Sequence, residues 1–470
     1  MQLSDEQINR VVNQVVEKIR RESTPVPAGK GDNGVFDDMN DAVEAAHSAF
    51  LEFKQRSVQC RKKIIDAVRQ MAMDHKEELS RMTVEETGMG RVDHKILKYV
   101  NAAKNSPGVE ELHPRAWSGK NGLALDEYAP FGVIGNITPS THPGPVMINN
   151  IIIQLAGGNT IAFNPHPSAK KVNARVIQLA NQYMIKAGAP ANLVTCVSEP
   201  TLESAKILFG HPKVELLSVT GGPAVVDLSM QYPKKVVAAG PGNPPVLVDE
   251  TADLKLAAQE ITQSAIYDNN ILCIAEKEIF VVESVFDKFM AEMEKAGNYL
   301  LSSRQMDTLA NKALQKSKDE YIINRDFVGK RASVLAEAIG INVPRDTFML
   351  FGETDEDHPW VVAEQMTCCI PVVRVRNFEE GLIAAQKAEH GFKHTASIYT
   401  NDMNRATVFT RTLDCDVHTI NGGTLRGDGG DLGEGYFSHT IATPTGEGIC
   451  TPKDFVRNRR VMVHGSMRFV

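Results

Sequence analysis

The chain has 470 residues, of which 42% are hydrophobic and 23% charged, a composition typical of a globular protein with enough core for two or three domains. Its net charge of −7 argues against nucleic acid or an anionic membrane as a partner, and no apolar run approaches the roughly 20 residues of a membrane span. Seven irregularly spaced cysteines indicate free thiols in a reducing compartment, no signal-peptide pattern is seen, and no His or Cys cluster has metal-site spacing.

The N-terminal segment is predicted to be a short amphipathic helix on a linker. Ser4 and Gln7 have the spacing of a capping box. The apolar side chains that follow recur at helical spacing and form one narrow stripe: Ile8, Val11, Val12, Val15, Val16 and Ile19. Residues 22–34, rich in Pro, Gly and polar residues, are predicted to be a linker. A helix at residues 1–21 has little core of its own, so we expect it to bind a partner; an arm packed on a sister subunit is the alternative.

The next segments favour an α/β fold. Residues 37–104 have helical patterning, in segments at 42–53, 61–72 and 76–87. From Phe131 onward strands alternate with helices: strands at 132–137, 160–163, 193–197 and 215–219, and helices at 146–155, 168–187, 202–208 and 223–230. This alternation predicts a mostly parallel sheet covered by helices. A second α/β region is expected at 244–439, and a strand outside the alternation at 123–128.

Thr220, Gly221 and Gly222 lie between a predicted strand and the start of a predicted helix. Free backbone N–H groups and the helix dipole favour a bound pyrophosphate at such a position. An ordinary tight turn uses the same residues, so the pattern alone leaves both interpretations open.

Cys273 lies on the connection between a predicted helix at 253–265 and a predicted buried strand at 278–282, beside the polar run Asp268-Asn269-Asn270. A thiol on a loop between two rigid elements can be presented to a substrate. The alternative is a small buried apolar residue, which is a common role for a free cysteine.

The order of several motifs resembles the aldehyde dehydrogenase superfamily over nearly the whole chain. The motifs are Pro130-Phe-Gly-Val-Ile-Gly-Asn-Ile-Thr-Pro139, Gly158-Asn-Thr160, Val219-Thr-Gly221, the Cys273 stretch, and Glu364 seven residues before Pro371-Val-Val373. Four further motifs resemble the CoA-acylating branch of bacterial microcompartments, of the propionaldehyde type: Glu86-Thr-Gly-Met-Gly-Arg91, Thr138-Pro-Ser-Thr-His-Pro143, His166-Pro-Ser-Ala-Lys170 and Thr443-Pro-Thr-Gly-Glu-Gly448.

The resemblance implies two Rossmann-type α/β domains with a small oligomerisation arm. The implied divisions are a targeting helix at 1–21, a linker at 22–34, a nucleotide-binding domain at 35–243 with an arm at 115–128, a catalytic domain at 244–439, and a C-terminal packing or oligomerisation segment at 440–470. It also implies a homodimer or homotetramer, a bacterial cytoplasmic location inside a microcompartment, and a shell protein as the partner of the N-terminal helix.

The resemblance also assigns site residues. Cys273 is the implied nucleophile, and the oxyanion asparagine of the family aligns with Thr141, beside His142. The choice between these two donors stays open, and a structural role is the alternative for His142. The residues implied to bind cofactor are Thr138, Pro139, Asn164, His166, Pro167, Thr220, Gly221, Gly222 and Glu364, the last at the nicotinamide ribose. No metal is implied.

Two departures from the family pattern point to coenzyme A. Ala239 stands where hydrolytic members have the glutamate of Glu-Leu-Gly-Gly, which activates water. Without that base, water is a poor nucleophile for a thioester, whereas a thiol needs less help. The family's Lys-Pro-Ser-Glu becomes Asn164-Pro-His-Pro167, which removes a carboxylate that would repel the 3′-phosphate of CoA and leaves the choice of NAD or NADP open.

The function expected from these features is NAD-dependent oxidation of a short-chain aldehyde, most readily propionaldehyde, to its acyl-CoA through a thioester on Cys273. An acetaldehyde enzyme of ethanolamine use is the alternative within the class. A hydrolytic dehydrogenase is disfavoured by Ala239, and a catalytically silent shell-cargo adaptor is disfavoured by the retention of Cys273 and Glu364.

Overall fold

The computed structural model describes residues 31–317 and 320–467. The predicted helix at residues 1–21, and the predicted linker as far as residue 30, lie outside the described residues. No helix within the described residues is long and apolar enough to cross a membrane.

The first half of the described chain forms a parallel sheet with helices on its faces. The strands of this half of the chain, in chain order, are β1 (Val35–Phe36), β2 (Arg115–Gly119), β3 (Gly122–Pro130), β4 (Val133–Thr138), β5 (Thr160–Pro165), β6 (Val194–Val197), β7 (Val214–Thr220) and β8 (Lys235–Ala239). Its helices are α1 (Met39–Phe53), α2 (Val58–Thr87), α3 (Val92–Asn105), α4 (Pro143–Ala156), α5 (Lys170–Lys186), α6 (Leu202–Gly210) and α7 (Pro223–Met230). The six-stranded sheet has the order β1-β6-β5-β4-β7-β8, with every pair parallel.

The second half forms another parallel sheet. The strands of this half of the chain are β9 (Pro245–Val248), β10 (Glu278–Val282), β11 (Tyr299–Leu300), β12 (Leu314–Ser317), β13 (Glu320–Ile323), β14 (Leu350–Thr354), β15 (Cys369–Val375), β16 (Thr395–Tyr399), β17 (Val417–Ile420), β18 (Ile441–Ala442), β19 (Gly448–Ile449) and β20 (Val456–His464). Its helices are α8 (Leu254–Ala265), α9 (Glu283–Lys295), α10 (Ser303–Ala313), α11 (Ala332–Ala338), α12 (Pro359–Val362), α13 (Phe378–Ala388) and α14 (Met403–Leu413). The seven-stranded sheet has the order β11-β14-β15-β10-β9-β16-β17. The predicted α/β class is confirmed.

The central strands follow from their sequences. Every residue of β4, β5 and β6 is buried, as expected for parallel strands that are covered by helices on both faces. One local prediction was wrong: the helices expected at 61–72 and 76–87 are a single helix, α2. No Gly or Pro separates them, and the helix ends only at Gly88, whose φ of 68° is the left-handed C-cap conformation that glycine permits.

The strand predicted at 123–128 lies within β3, outside both large sheets. It forms the centre of a three-stranded antiparallel sheet, β2-β3-β20, so this arm extends to Pro130 and also includes the chain's C-terminal strand. Arg460 of β20 forms an ion pair with Asp126 of β3 at 2.5 Å. The sequence did not predict this pairing, since the two strands are far apart in the chain.

The two halves are joined by a buried carboxylate. Asp268, which precedes β10, accepts hydrogen bonds from the Nζ atoms of Lys95 (3.0 Å) and Lys98 (2.5 Å), both on α3, and from the backbone N–H of Arg91 (2.8 Å). Lys95 also donates to the carbonyl oxygen of Thr141, which follows β4 (3.1 Å). Asp268 and the two lysines are at most 1% exposed. Burial raises the pKa of Asp268, but the charges of Lys98 and Lys95 outweigh that effect and hold it below its usual value.

This contact gives a test of stability. Asp268→Asn keeps the shape of the side chain and its tolerance of a left-handed backbone, but leaves two buried ammonium groups without their main counter-ion. We expect a loss of about 3–5 kcal/mol in the free energy of unfolding, measured by urea denaturation. Asp93→Asn is the matched control, because Asp93 pairs with Arg91 at the surface and such pairs are worth about 0–1 kcal/mol. Equal losses in the two variants would contradict a role for the buried charge.

Candidate active site

Four loops that precede adjacent parallel strands meet at one edge of the second sheet. The strands lie in the order β15-β10-β9-β16, and the loops before them contain Glu364, Cys273, Gly242 and His394, respectively. Parallel strands present their amino ends at the same edge, so residues distant in sequence come together there. The backbone N–H of Gly242 points at Oε1 of Glu364, 3.5 Å away.

Cys273 is presented by a strained turn. Asp268, Asn269 and Asn270 all have left-handed backbones, with φ of 51°, 57° and 64°. Such conformations are costly for residues other than glycine and persist where surrounding contacts fix them. Here the Nδ2 atom of Asn269 donates to the carbonyl of Gly329 (2.7 Å), and that of Asn270 donates to the carbonyls of Ala265 (2.9 Å) and Glu276 (3.0 Å). The turn therefore holds the nucleophile candidate in a fixed position.

The surroundings of Cys273 keep its thiol protonated at rest. Burial raises the pKa of Cys273 to about 12, the negative charges of Glu364 and Asp428 act in the same direction, and the charge of Lys277 opposes them. The side chain is half-buried and packs against an apolar cluster that contains Tyr267, Leu272, Leu425 and Ile441. Cys368 and Cys369 are almost fully buried, which leaves Cys273 as the better presented thiol.

Lys277 is fully buried behind the cysteine loop. Its Nζ atom donates to Oδ1 of Asn270 (2.6 Å) and to the carbonyl of Leu272 (2.9 Å). Burial lowers the pKa of Lys277, against the opposing charges of Glu364 and Cys273. The lysine thus fixes the loop on both sides of Ile271 and supplies the positive charge that faces the thiol.

Gly242 and His394 lie close to the loop that carries Cys273. A Cβ atom on Gly242 would lie 2.6 Å from the carbonyl oxygen of Cys273 and 2.9 Å from Cγ of His394, so only glycine fits between them. Sequence analysis did not single out His394. Burial lowers its pKa to about 4, with the charge of Lys277 acting in the same direction, so the ring is neutral. Its Nδ1 lies 2.9 Å from Oγ1 of Thr395, and its Nε2 is buried with no hydrogen-bond partner in the part of the chain that the structure describes.

Except for Glu364, which precedes β15, the residues predicted to bind cofactor lie at or after the ends of strands of the first sheet, as do the two predicted oxyanion donors, Thr141 and His142. Thr138, Pro139, Thr141 and His142 end or follow β4; Asn164, His166 and Pro167 lie at the end of β5 and after it; Thr220, Gly221 and Gly222 lie at the end of β7 and after it. The carboxyl edge of a parallel sheet is the usual binding site for nucleotides in such folds. β4, β5 and β7 are neighbours, which brings these three groups to one edge.

Unpartnered groups at this edge fit a nucleotide. Gly222 is the N-cap of α7 and provides no side-chain cap. Pro223 has no N–H, and the N–H groups of Val225 and Val226 donate to the carbonyl of Gly222, so the N–H of Ala224 is the helix donor left for a phosphate oxygen. Within residues 31–317 and 320–467, Oγ1 of Thr138 and Oγ1 of Thr220 are buried and have no hydrogen-bond partner. Asn164 differs, because its Oδ1 accepts from Oγ of Ser204 at 2.5 Å and its Nδ2 donates to the carbonyl of Thr201 at 3.4 Å. Its side chain is already engaged within the fold.

Ala239 ends β8 and is buried, and its carbonyl accepts from the N–H of Gly221 at 3.1 Å. A methyl group at this position provides no base. The described residues include no group of three or more His, Cys, Asp or Glu side chains that would hold a metal ion.

Comparison with known proteins agrees with this geometry. Residues 16–431 match the model of the aldehyde dehydrogenase family. The acetylating acetaldehyde dehydrogenase EutE of Salmonella typhimurium is 43% identical over the full length of both chains. A propionaldehyde dehydrogenase from the fucose utilisation microcompartment of Clostridium phytofermentans is 42% identical, with a TM-score of 0.90 over 93% of this chain and 100% of that one. A propionaldehyde dehydrogenase of Rhodopseudomonas palustris, solved with bound CoA and an acylated cysteine, is 38% identical with the same TM-score and the same coverage.

The charge balance around Cys273 predicts its reactivity. Glu364→Gln removes a negative charge that raises the pKa of the thiol, so we expect alkylation of Cys273 by iodoacetamide to accelerate about two- to fivefold at pH 7–8. Peptide mass spectrometry separates this thiol from the other six. Glu353→Gln, which alters a carboxylate paired with Arg374 at the surface, is the control and should leave the rate unchanged. An unchanged or slower rate in Glu364→Gln would contradict the electrostatic account.

Proposed function

Since this chain belongs to the aldehyde dehydrogenase family, we propose that it oxidises a short-chain aldehyde to the corresponding acyl-CoA, with NAD as the hydride acceptor. The observation that carries the proposal is the pairing of a presented thiol, Cys273, with an alanine at position 239, where a water-activating base would stand. Cys273 would form a thioester with the acyl group. Because Ala239 cannot activate water, that thioester would be cleaved by a thiol.

In the first step the Cys273 thiol gives its proton to a neighbouring base, such as the unpartnered Nε2 of His394, and its sulfur attacks the aldehyde carbon. A carbon–sulfur bond forms, and the electron pair of the carbonyl bond places negative charge on the oxygen. We expect the backbone N–H of Cys273, with either the hydroxyl of Thr141 or the ring of His142, to stabilise that oxygen. Bound NAD supplies a hydride acceptor, so that the C–H bond breaks and a thioester remains on Cys273.

The second step transfers the acyl group from Cys273 to coenzyme A. The CoA sulfur bonds to the acyl carbon, the bond to the Cys273 sulfur breaks, and the CoA thiol proton must be taken up. Two groups beside Cys273 can accept it: the unpartnered Nε2 of His394, whose ring is neutral, and Glu364, whose pKa burial raises.

The N–H of Ala224 at the start of α7 and the unpartnered hydroxyls of Thr138 and Thr220 support an ADP moiety at the carboxyl edge of the first sheet. Both NAD and CoA contain this moiety. Pro167 stands at this edge in place of a carboxylate, which would repel the extra phosphate of CoA. The same substitution also removes the repulsion of the extra phosphate of NADP, so NADP is the alternative to NAD.

We propose propionaldehyde as the first substrate to test and acetaldehyde as the second, since relatives of almost equal identity are named for each. We also propose that residues 1–21 carry the enzyme into a bacterial microcompartment by binding a shell protein, with residues 22–34 as the linker. The C. phytofermentans relative comes from such a compartment, which supports this location.

We further propose that the β2-β3-β20 arm joins subunits into a dimer or tetramer. Trp117 of β2 and Val461 and Met462 of β20 are large apolar residues, 44–51% exposed. Apolar groups on a projecting sheet are what a subunit interface would cover.

The chemistry predicts a dependence on CoA. With aldehyde and NAD alone, we expect about one equivalent of NADH per active site, followed by turnover only when CoA is added. Stopped-flow absorbance at the NADH band measures both phases, and Cys273→Ala should abolish both. Sustained NADH formation without CoA, with release of free acid, would contradict the proposal; no NADH with any short aldehyde would favour a silent adaptor.

The N-terminal helix gives a separate prediction. Deleting residues 1–21 should leave kcat and Tm nearly unchanged but abolish co-assembly with shell proteins, because burial of each Val or Ile of the stripe contributes roughly 1.5–3 kcal/mol to docking. The double substitution Val12→Glu and Val16→Glu should do the same at full length. A large fall in Tm or loss of the oligomer on deletion would show that the helix is a subunit arm instead.

A further inference from the structure

A cluster of buried polar side chains, here called the polar wall, lies near Cys273. Apart from His142, its residues have no role in the proposed chemistry. The polar wall contains four titratable side chains: His142 and His439, whose rings are stacked, and Lys98 and Asp428, where the charge of Lys98 acts on both rings and on Asp428. Each is at most 7% exposed. A pocket for an unsubstituted alkyl aldehyde needs no such groups, and burying polar groups without partners is unfavourable.

The two histidines form the centre of this wall. Their rings are stacked, with centroids 5.3 Å apart and an interplanar angle of 26°, and Phe437 packs edge-on against His439 at 4.6 Å. Nδ1 of His142 and Nε2 of His439 are buried, and neither has a hydrogen-bond partner in the described part of the chain. Burial lowers the pKa of both rings well below the usual value, so each ring is neutral and offers one donor and one acceptor nitrogen.

Asp428 completes the wall. Burial raises its pKa to about 8, against the charge of Lys98, so the carboxyl group is mostly protonated at neutral pH and can donate as well as accept. No side chain or backbone amide of residues 31–317 and 320–467 donates a hydrogen bond to it. Lys98, by contrast, is paired with Asp268 and lies over the ring of Tyr267, 5.8 Å from its centroid.

This wall adjoins the nucleophile. Tyr267, Leu425 and Ile441 belong to the apolar cluster against which Cys273 packs. Asp428 lies in the same helical turn as Leu425, His439 lies two residues before Ile441, and Lys98 contacts Tyr267. The charge of Asp428 is also among those that raise the pKa of Cys273. Asp428 and His439 are thus held by residues of the same cluster against which Cys273 packs.

We propose that the preferred substrates are short 2-hydroxyaldehydes, whose hydroxyl group hydrogen-bonds with His439 and Asp428 while the stacked ring of His142 holds His439 in place. This inference rests on the proposed function and specifies its substrate class. A hydroxyl both donates and accepts, which matches the free capacity of a neutral imidazole and a protonated carboxyl. A site built to bind a hydroxyl discriminates against the analogue without it, because the site's own polar groups are then left unpaired.

The test compares two aldehydes that differ by one hydroxyl group. For the full-length enzyme with NAD and CoA, kcat/KM is measured from NADH formation with propanal and with 2-hydroxypropanal. We expect 2-hydroxypropanal to be preferred by at least about tenfold. Equal or better kcat/KM with propanal would overturn this inference while leaving the proposed function intact. Failure of both aldehydes to give CoA-dependent NADH would instead overturn the proposed function.

Variants test the assignment to His439. His439→Phe keeps an aromatic ring beside Phe437 but removes both nitrogens, so the ratio of the two kcat/KM values should shift about tenfold or more toward propanal. His439→Gln retains a donor and an acceptor and should keep part of the preference. His75→Phe, on α2 beside Tyr183, is the control and should leave the ratio unchanged. A wild-type preference that survives His439→Phe in a folded, active enzyme would overturn the role of His439.

Discussion

The buried carboxylate of Asp268 is the contact on which the arrangement of the site depends. Charges this deep are tolerated only when they are paired, and Asp268 is paired with two lysines of α3. Because Asp268 is also the first residue of the left-handed run before Cys273, its position sets the path of the loop that carries Cys273. Lys95 holds the carbonyl of Thr141 as well, so one group of charges positions both the thiol and the segment expected to stabilise the substrate oxygen.

The same region sets the reactivity of the thiol. Cys273 has two carboxyl groups and one ammonium group in its surroundings, and with burial the balance favours the protonated form. Glu364, Cys273, Gly242 and His394 reach this point from the loops before four neighbouring strands, and Gly242 leaves no space for a side chain between the others. The space around Cys273 is thus narrow, because Gly242 brings two of these loops into direct contact.

Local patterns in the sequence predicted much of the fold and several of the site residues. Alternating strands and helices predicted the parallel sheets, and the patterns around Cys273 and Thr220 placed these residues on connections between strands and helices. The sequence did not reveal what depends on contacts between distant segments. His394, the Lys98–Asp268 pair and the stack of His142 on His439 have no local pattern, and the pairing of β20 with β3 joins opposite ends of the chain. The single helix α2 was divided because its burial pattern was interpreted locally, although no residue breaks it.

The central claim is that an acyl group on Cys273 is released to a thiol and not to water. Mass spectrometry of the intact enzyme, incubated with propanal or 2-hydroxypropanal and NAD but no CoA, tests it directly. We expect one acyl group per chain, located on the peptide that contains Cys273, stable in buffer and lost on addition of CoA as acyl-CoA appears. An enzyme that carries no adduct, or an adduct that decays to free acid equally fast without CoA, would contradict the account.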